Sequence, residues 1–365
     1  MENKILRCGV VGAGRGAAVA ACGFGNKKCK IVAACDKNEA VLAHCKEYFE
    51  SMDVTDVIYL SDYDELLKMD IDAVIVATEA VYHVPIVKKA LEAGKHVLSE
   101  IPSITNLEEA YELKKIVSEH PDLIYMAAEN CCYWAFIKTW KQMREKGEFG
   151  DVVFAEAEYL HAVNPDEFSP DNYPEGHWRT YIPSIKYTTH ELGPLLYIMD
   201  DRCVSVSCMS SDIVYNPYFP NKKSTCVAIF KTEKGAVIRL LVSFGAYTSY
   251  DHNYRLCGTR GSIETDRRTV VDNAHSYANL QSIPGTFLQK IEIPVATAYL
   301  DEFGNASAFG HGGGDSMMFA DFVDCVLENK KPVLDVDFAI KMSLPGIFAS
   351  MSAEQNGANI EIPVI

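Results

Sequence analysis

The sequence predicts an α/β chain in two parts. Residues 1–125 should form a doubly wound parallel sheet of the Rossmann kind. Residues 126–365 should form a C-terminal α+β domain on a large, mainly antiparallel open sheet. Three observations carry this expectation. Apolar strand-like runs alternate with helical stretches up to about residue 125. A glycine turn joins the first strand to the first helix. Beyond residue 150, strand-like runs follow one another with few helices between them. A chain of 365 residues exceeds one ordinary core. With 48% hydrophobic and 23% charged residues, its composition is that of a globular protein. Fifty acidic against 34 basic residues give a net charge of −16. That balance argues against nucleic acid and anionic membrane as partners.

The elements follow in order. Residues 5–11 form an apolar strand ending in Gly12-Ala13-Gly14-Arg15-Gly16-Ala17, and small residues continue to Ala21 in a helix that can lie close on a sheet. Ile31-Val32-Ala33-Ala34-Cys35 is the second strand, closed by Asp36, and 39–50 alternate at helical spacing. Ile58-Tyr59-Leu60, a helix through Asp64-Glu65-Leu66-Leu67, and strand 73–77 come next. Helix 84–93 stops at Gly94 before strand 96–99. Helices are predicted at 104–119, 135–146, 190–199, 315–328 and 337–354. Strands are predicted at 151–161, 203–214, 224–231, 235–245, 253–257 and 261–265, with a hairpin at Lys231-Thr232-Glu233-Lys234-Gly235. Residues 163–186, rich in Pro, Asp and aromatics, are expected to be a long functional loop.

Twelve cysteines show no C-x-x-C spacing, which favours small buried thiols over disulfides or zinc. Met1-Glu2-Asn3-Lys4 runs straight into the first strand without the apolar core of a secretory leader. No run of 18 uncharged apolar residues appears. The expected location is cytoplasmic.

Gly12-x-Gly14-x-x-Ala17 stands after a strand and opens a helix, as dinucleotide binding requires. Gly12 permits the tight turn, Gly14 lets backbone approach a pyrophosphate, and Ala17 allows close helix–strand packing. The free N–H groups at the helix start would face the phosphates. Asp36, about twenty residues on, would accept from the adenosine ribose and repel a 2′-phosphate, favouring NAD over NADP; Arg15 and Lys37 weaken that exclusion. Ala13, Arg15 and, after strand 73–77, Thr78 join the cofactor-binding set.

His83-Val84-Pro85, the run Ala90-Leu91-Glu92-Ala93-Gly94-Lys95-His96-Val97-Leu98-Ser99-Glu100-Ile101-Pro102, Glu129-Asn130, Gly150-Asp151-Val152, Gly258-Thr259-Arg260-Gly261-Ser262 and Lys331-Pro332-Val333-Leu334-Asp335-Val336 resemble the Gfo/Idh/MocA oxidoreductase family over essentially the whole chain. The resemblance implies a dinucleotide-binding domain, then an α/β domain whose open sheet often makes oligomer contacts, and oxidation or reduction of a hydroxyl on a sugar, cyclitol or glycoside. Two departures matter. Glu100-Ile101-Pro102 replaces the family's usual Glu-Lys-Pro, so the customary catalytic lysine is missing. Tyr187-Thr188-Thr189-His190-Glu191-Leu192-Gly193-Pro194 replaces its Asp-x-x-x-His. Together with Asn130-x-x-Tyr133 and Gly310-His311-Gly312-Gly313, these are similar to the NAD-dependent glycosidases of glycoside hydrolase family 109, and to dehydrogenases that oxidise carbon 3 of glycosides, C-glycosides included, ahead of cleavage by separate proteins. The segment between Arg179 and Tyr187 is shorter than in the family-109 pattern.

Hydride transfer needs a base for the departing hydroxyl proton. With Ile101 in place of lysine, His190 is the expected base, Tyr187 shares the site, and Lys186 is the rival. Trp178 and Arg179 offer an aromatic platform and a donor fork to sugar hydroxyls. His311 and Asp315 either bind substrate or, for Asp315, cap the following helix. Glu100 lies at a strand's carboxyl end, where ligands bind. Asn130 and Tyr133 would orient ribose and sugar ring, and His83 either faces the nicotinamide or begins helix 84–93. His44, His96, His120 and His161 are read as structural or surface residues. No spacing predicts a metal site or a nucleophile elbow. The expected partners are a sugar or glycoside, further copies of the chain, and a separate downstream cleaving enzyme. The expected cofactor is NAD.

Overall fold

The computed structural model describes residues 4–173, 176–220, 222–248, 250–267, 275–294 and 311–365. The chain divides into two compact units. One comprises Met1–Asn130, Ala308–Ile340 and Ile365; the other comprises Cys131–Ser307 and Lys341–Val364. The expected cut at 125/126 falls inside a strand, and residues 308–340 count with the first unit.

In the first unit, β1 (Leu6–Val11), β2 (Cys29–Cys35), β3 (Ile58–Leu60), β4 (Ala73–Val76), β5 (His96–Ser99) and β6 (Tyr125–Ala127) make a parallel sheet ordered β3-β2-β1-β4-β5-β6. β4 is buried at every position, and β1 at all but one, as strands covered on both faces must be. The order reverses between β1 and β4, which makes the carboxyl ends of those strands the ligand-binding crevice of such a sheet. The connecting helices are α1 (Arg15–Ala21), α2 (Glu39–Glu50), α3 (Tyr63–Lys68), α4 (His83–Glu92) and α5 (Leu107–Glu119). Side chains of Asn38, Asp62 and Asn106 accept backbone N–H groups at the starts of α2, α3 and α5. The Asn106 cap is why α5 begins three residues later than its apolar spacing suggests.

The second unit opens with α6 (Ala135–Glu145), β7 (Val152–Leu160), the single turn α7 (Trp178–Tyr181) and α8 (Thr189–Met199). Strands β8 (Cys203–Ser210), β9 (Thr225–Thr232), β10 (Val237–Ser243), β11 (Asp251–Gly258), β12 (Gly261–Thr265), β13 (Ser276–Leu280), β14 (Ile291–Ile293) and β15 (Ile360–Glu361) complete it. The sheet runs β14-β13-β12-β11-β7-β10-β9-β8-β15. Among the described strands of this sheet only β7 and β10 pair in parallel. The expected β9–β10 hairpin is present, closed by Gly235 at φ +99°. Alternating burial along β9 marks a sheet covered on one face. Helices α6 and α8 pack against each other, and α8 lies on β7 and β11. Trp140 of α6 is fully buried, and its Nε1 donates to Ser276 Oγ at 2.9 Å.

Two helices follow, α9 (Gly314–Glu328) in the first unit and α10 (Val336–Glu354). All twelve cysteines are free thiols, ten of them buried. No helix among the described residues is long and apolar enough to cross a membrane.

Candidate active site

The dinucleotide loop is set by close backbone packing. Gly12 stands at φ +87°, and a Cβ there would lie 2.4 Å from the Ala77 carbonyl oxygen. A Cβ on Gly16 would lie 2.6 Å from Val10 Cγ1, so Gly16 lets α1 press onto β1, the contact expected of Ala17. Over Gly14 a Cβ would meet only Val41, at 4.0 Å. That open backbone has the room a pyrophosphate needs. Asp36, at the carboxyl end of β2, accepts from Ala13 N at 2.9 Å and Asn38 N at 2.9 Å. Its remaining lone pairs suit ribose hydroxyls. The residues present therefore fit a nicotinamide dinucleotide, which Gly12, Ala13, Gly14 and Asp36 would hold. When bound, that group supplies the hydride acceptor.

Arg15 is committed elsewhere. Its Nε donates to Glu100 Oε1 at 2.9 Å, and its two terminal nitrogens donate to Asp315 at 2.9 and 3.2 Å. Asn130 Nδ2 donates to the same Asp315 carboxylate at 2.7 Å. Asp315 is 1% exposed, so this forked pairing takes place out of water. The weakening of NAD preference expected from Arg15 is thereby removed: its guanidinium is spent on two carboxylates. Asp315 belongs to the first unit with Arg15 and Asn130 and does not cap α9, whose cap position is Gly313. His83 is buried, with Nδ1 3.0 Å from the Pro102 carbonyl and Nε2 3.0 Å from the Thr78 carbonyl. It ties the loop after β4 to the segment after β5. Burial pushes its imidazole below the ordinary value, although both carbonyls act to raise it.

The second unit holds the expected acid–base pair. His190 lies in the first turn of α8, 8% exposed, with Nδ1 3.2 Å from Cys131 Sγ. Its ring stands edge-on to Tyr187 at 5.2 Å and to Tyr159 at 5.5 Å. Tyr254 Oη donates to its carbonyl at 2.6 Å. Arg179 stacks on Trp178 at 4.8 Å and faces the Tyr187 ring at 5.8 Å. The turn that presents Tyr187 is seated on α10: a Cβ on Gly346 would lie 2.7 Å from both Ile185 O and Thr188 Oγ1. The hydroxyls of Ser184, Thr188 and Thr189 are buried with no hydrogen-bond partner among the described residues. Lys186 is half-buried at the end of the preceding 3-10 turn.

Tyr187, His190, Trp178 and Arg179 are thus brought together. Tyr133 is buried in the same unit under the Lys138 ammonium, 4.5 Å from its ring. The His311 side chain lies outside the described residues. His161, read as structural or surface, packs edge-on to Tyr159 at 5.7 Å. Sequence reasoning missed Cys131, Tyr159, His252 and Lys222. Burial and the Arg179 charge pull the Lys222 ammonium down to about 7; its Nζ donates to Arg179 O at 2.6 Å over the Phe168 ring. None of these carries a local motif; only the alternation of β7 and β11 could have placed Tyr159 and His252 on the covered face.

Three family models match the chain. Residues 6–128 match the oxidoreductase family with an NAD-binding Rossmann fold, and residues 137–264 match the GFO/IDH/MocA C-terminal domain. Residues 221–365 match the glycosyl hydrolase 109 C-terminal domain. A glycosyl hydrolase family 109 protein of Phocaeicola vulgatus is 28% identical over 99% of this chain and 78% of its own length. Another, from Solibacter usitatus, is 26% identical over 99% and 88%. In fold, the chain is similar to levoglucosan dehydrogenase in complex with NADH, with a TM-score of 0.82 at 18% identity over 99% and 100% of the two chains. It is also similar to scyllo-inositol dehydrogenase of Lactobacillus casei with NAD(H) and scyllo-inositol, with a TM-score of 0.76 at 17% identity over 98% and 99%. With a glycine loop and Asp36 shaped for NAD, and both domain models matched in sequence order, the chain belongs to the Gfo/Idh/MocA oxidoreductase family.

Proposed function

We propose that this protein is an NAD-dependent oxidoreductase that oxidises a ring hydroxyl, at carbon 3, of a sugar or glycoside. The observation that carries the proposal is His190, a buried imidazole backed by Cys131 and ringed by Tyr187 and Tyr159, in a chain whose Glu-Lys-Pro lysine is Ile101. As general base, the His190 imidazole takes the hydroxyl proton as the hydride leaves carbon. Trp178 and Arg179 supply the stacking face and donors that a sugar ring requires. Gly12, Ala13, Gly14, Asp36 and Thr78 hold the cofactor; Arg15, Glu100, Asn130 and Asp315 hold the loop in shape around it. His311 remains a proposed substrate ligand.

The second reading is a hydrolase: transient oxidation at carbon 3, elimination of the aglycone, water addition and re-reduction. The family-109 match over residues 221–365 favours it. One experiment separates the two. Purified protein, NAD and a panel of aryl glycosides should accumulate NADH absorbance if oxidation is the net reaction. Release of aglycone without NADH selects the hydrolase. Neither signal across the panel sinks both.

We assign a cytoplasmic location and a homo-oligomer, with a separate enzyme cleaving the oxidised glycoside. The outward side chains Met209, Val227 and Ile229 of β8 and β9 are exposed and apolar, which supports assembly through the sheet.

A further inference from the structure

A second acid–base assembly stands in the same unit as His190. Glu191 points its carboxylate at His252, with Oε1 2.9 Å from Nδ1; the two side chains are 0% and 1% exposed. On the other side of that ring, His252 Nε2 lies 3.1 Å from the Tyr250 hydroxyl. The order is carboxylate, imidazole, phenol. A carboxylate beside Nδ1 fixes the tautomer: Nδ1 carries the hydrogen and donates to Glu191, and the lone pair on Nε2 accepts from Tyr250. The same carboxylate stabilises the imidazolium that forms if Nε2 gains a proton.

The fold dictates this alignment. His252 is the second residue of β11 and Tyr250 immediately precedes the strand, which brings the phenol to the imidazole two residues on. Glu191 comes from α8, which lies on β11. The His252 ring is held by Tyr159, stacked at 4.4 Å and 20°, and by the edge of Trp134 at 5.3 Å. Tyr250 is 39% exposed, while the His252–Glu191 pair behind it is enclosed. The Tyr159 ring also packs beside those of Tyr187, His190 and Tyr250, with centroids 6.2, 5.5 and 6.3 Å away.

We propose that Tyr250, oriented by His252 and Glu191, is a second acid–base group of this site, one that exchanges the carbon-bound proton next to the ring ketone. The inference rests on the sugar-oxidation reading above. Oxidation of a ring hydroxyl releases one proton, and His190 takes it. The ketone then acidifies the adjacent C–H, and a base distinct from the charged His190 is needed to remove that proton. The C–H bond breaks, its electron pair stays on the substrate as an enolate, and the proton goes to the Tyr250 oxygen. The phenol's own proton passes to His252 Nε2, and the imidazolium is paired with Glu191. No electron leaves the substrate in this step. Tyr250 is the catalytic group; His252 and Glu191 are positioning residues.

The test uses the whole protein with NAD and a methyl glycoside in deuterated buffer. NMR reads deuterium entering the carbons beside the oxidised one, and absorbance reads NADH. Wild type should wash in deuterium. Tyr250→Phe should slow exchange by about 100-fold and Glu191→Gln by about tenfold, the latter also displacing the pH profile of exchange. Urea midpoints check that each variant folds; should Glu191→Gln fail to fold, Tyr250→Phe decides alone. Exchange by Tyr250→Phe within about threefold of wild type overturns the assignment, as does exchange abolished by Tyr187→Phe while Tyr250→Phe retains it. NADH without any exchange in wild type also overturns it and leaves the oxidoreductase standing. Neither signal in wild type removes the oxidation reading, and the relay's role with it.

Discussion

Gly12 and Gly14 stand two residues apart and do separable work. Gly12 is a structural glycine: φ is +87°, and any Cβ would sit 2.4 Å from backbone at Ala77. Gly12→Ala should therefore cost about 2–4 kcal/mol of stability, read as a lowered urea midpoint. Gly14 has φ −71° and only Val41 within 4.0 Å of a Cβ. Gly14→Ala should fold with a stability change below about 1 kcal/mol yet lose about tenfold or more in NADH affinity, read by fluorescence titration, because the methyl fills the space a pyrophosphate needs. Equal loss of stability in both variants would remove the distinction. At this scale the glycine spacing and Asp36 were legible because one turn and one strand end contain them. The Arg15–Asp315 pairing was not legible: its partners are 300 residues apart, and no local pattern links an arginine in a glycine loop to an acid on α9.

Helix α10 shows how an element places chemistry it does not carry. Glycine inside a helix costs about 1 kcal/mol against alanine, and α10 carries Gly346 directly after Pro345. The reason is the turn at Ile185 and Thr188, which lies where a Cβ would be. Gly346→Ala should push that turn, and Tyr187 with it, lowering kcat about tenfold or more while NADH affinity stays within about twofold. Unchanged turnover would show that the turn yields freely. Element legibility followed length and period. β1, β4 and α2 were readable from apolar runs or helical spacing, whereas β6, β13, β14 and β15, of two to five residues, are too short to show a period. Strand 203–214 was read too long, because Ile213 and Val214 are apolar yet exposed beyond the end of β8. The Glu191–His252–Tyr250 alignment escaped for a tertiary reason: a helix laid across a strand creates it, and neither segment signals it alone.

Across the whole molecule, acid should act through buried histidines. Burial lowers His83, His96 and His161 below their ordinary value, His83 most completely enclosed. For a group whose folded value is depressed, the unfolded chain binds more protons in the window between the two values. Stability is then fully present above the unfolded value of about 6.5 and falls as pH drops through it. His83 alone contributes at most about 1.4 kcal/mol per pH unit in that window. The net charge of −16 works the other way, since acidification relieves self-repulsion. The histidine effect should prevail where carboxylates are still ionised, between about pH 7 and pH 5. Urea midpoints of wild type should fall across that range, and His83→Gln, which retains a donor for one of the two carbonyls but cannot titrate, should show a shallower fall. A His83→Gln slope equal to that of wild type would mean that His83 takes up its proton alike in the folded and the unfolded chain. The two 3.0 Å carbonyl contacts would then be those of an imidazolium, with both ring nitrogens donating.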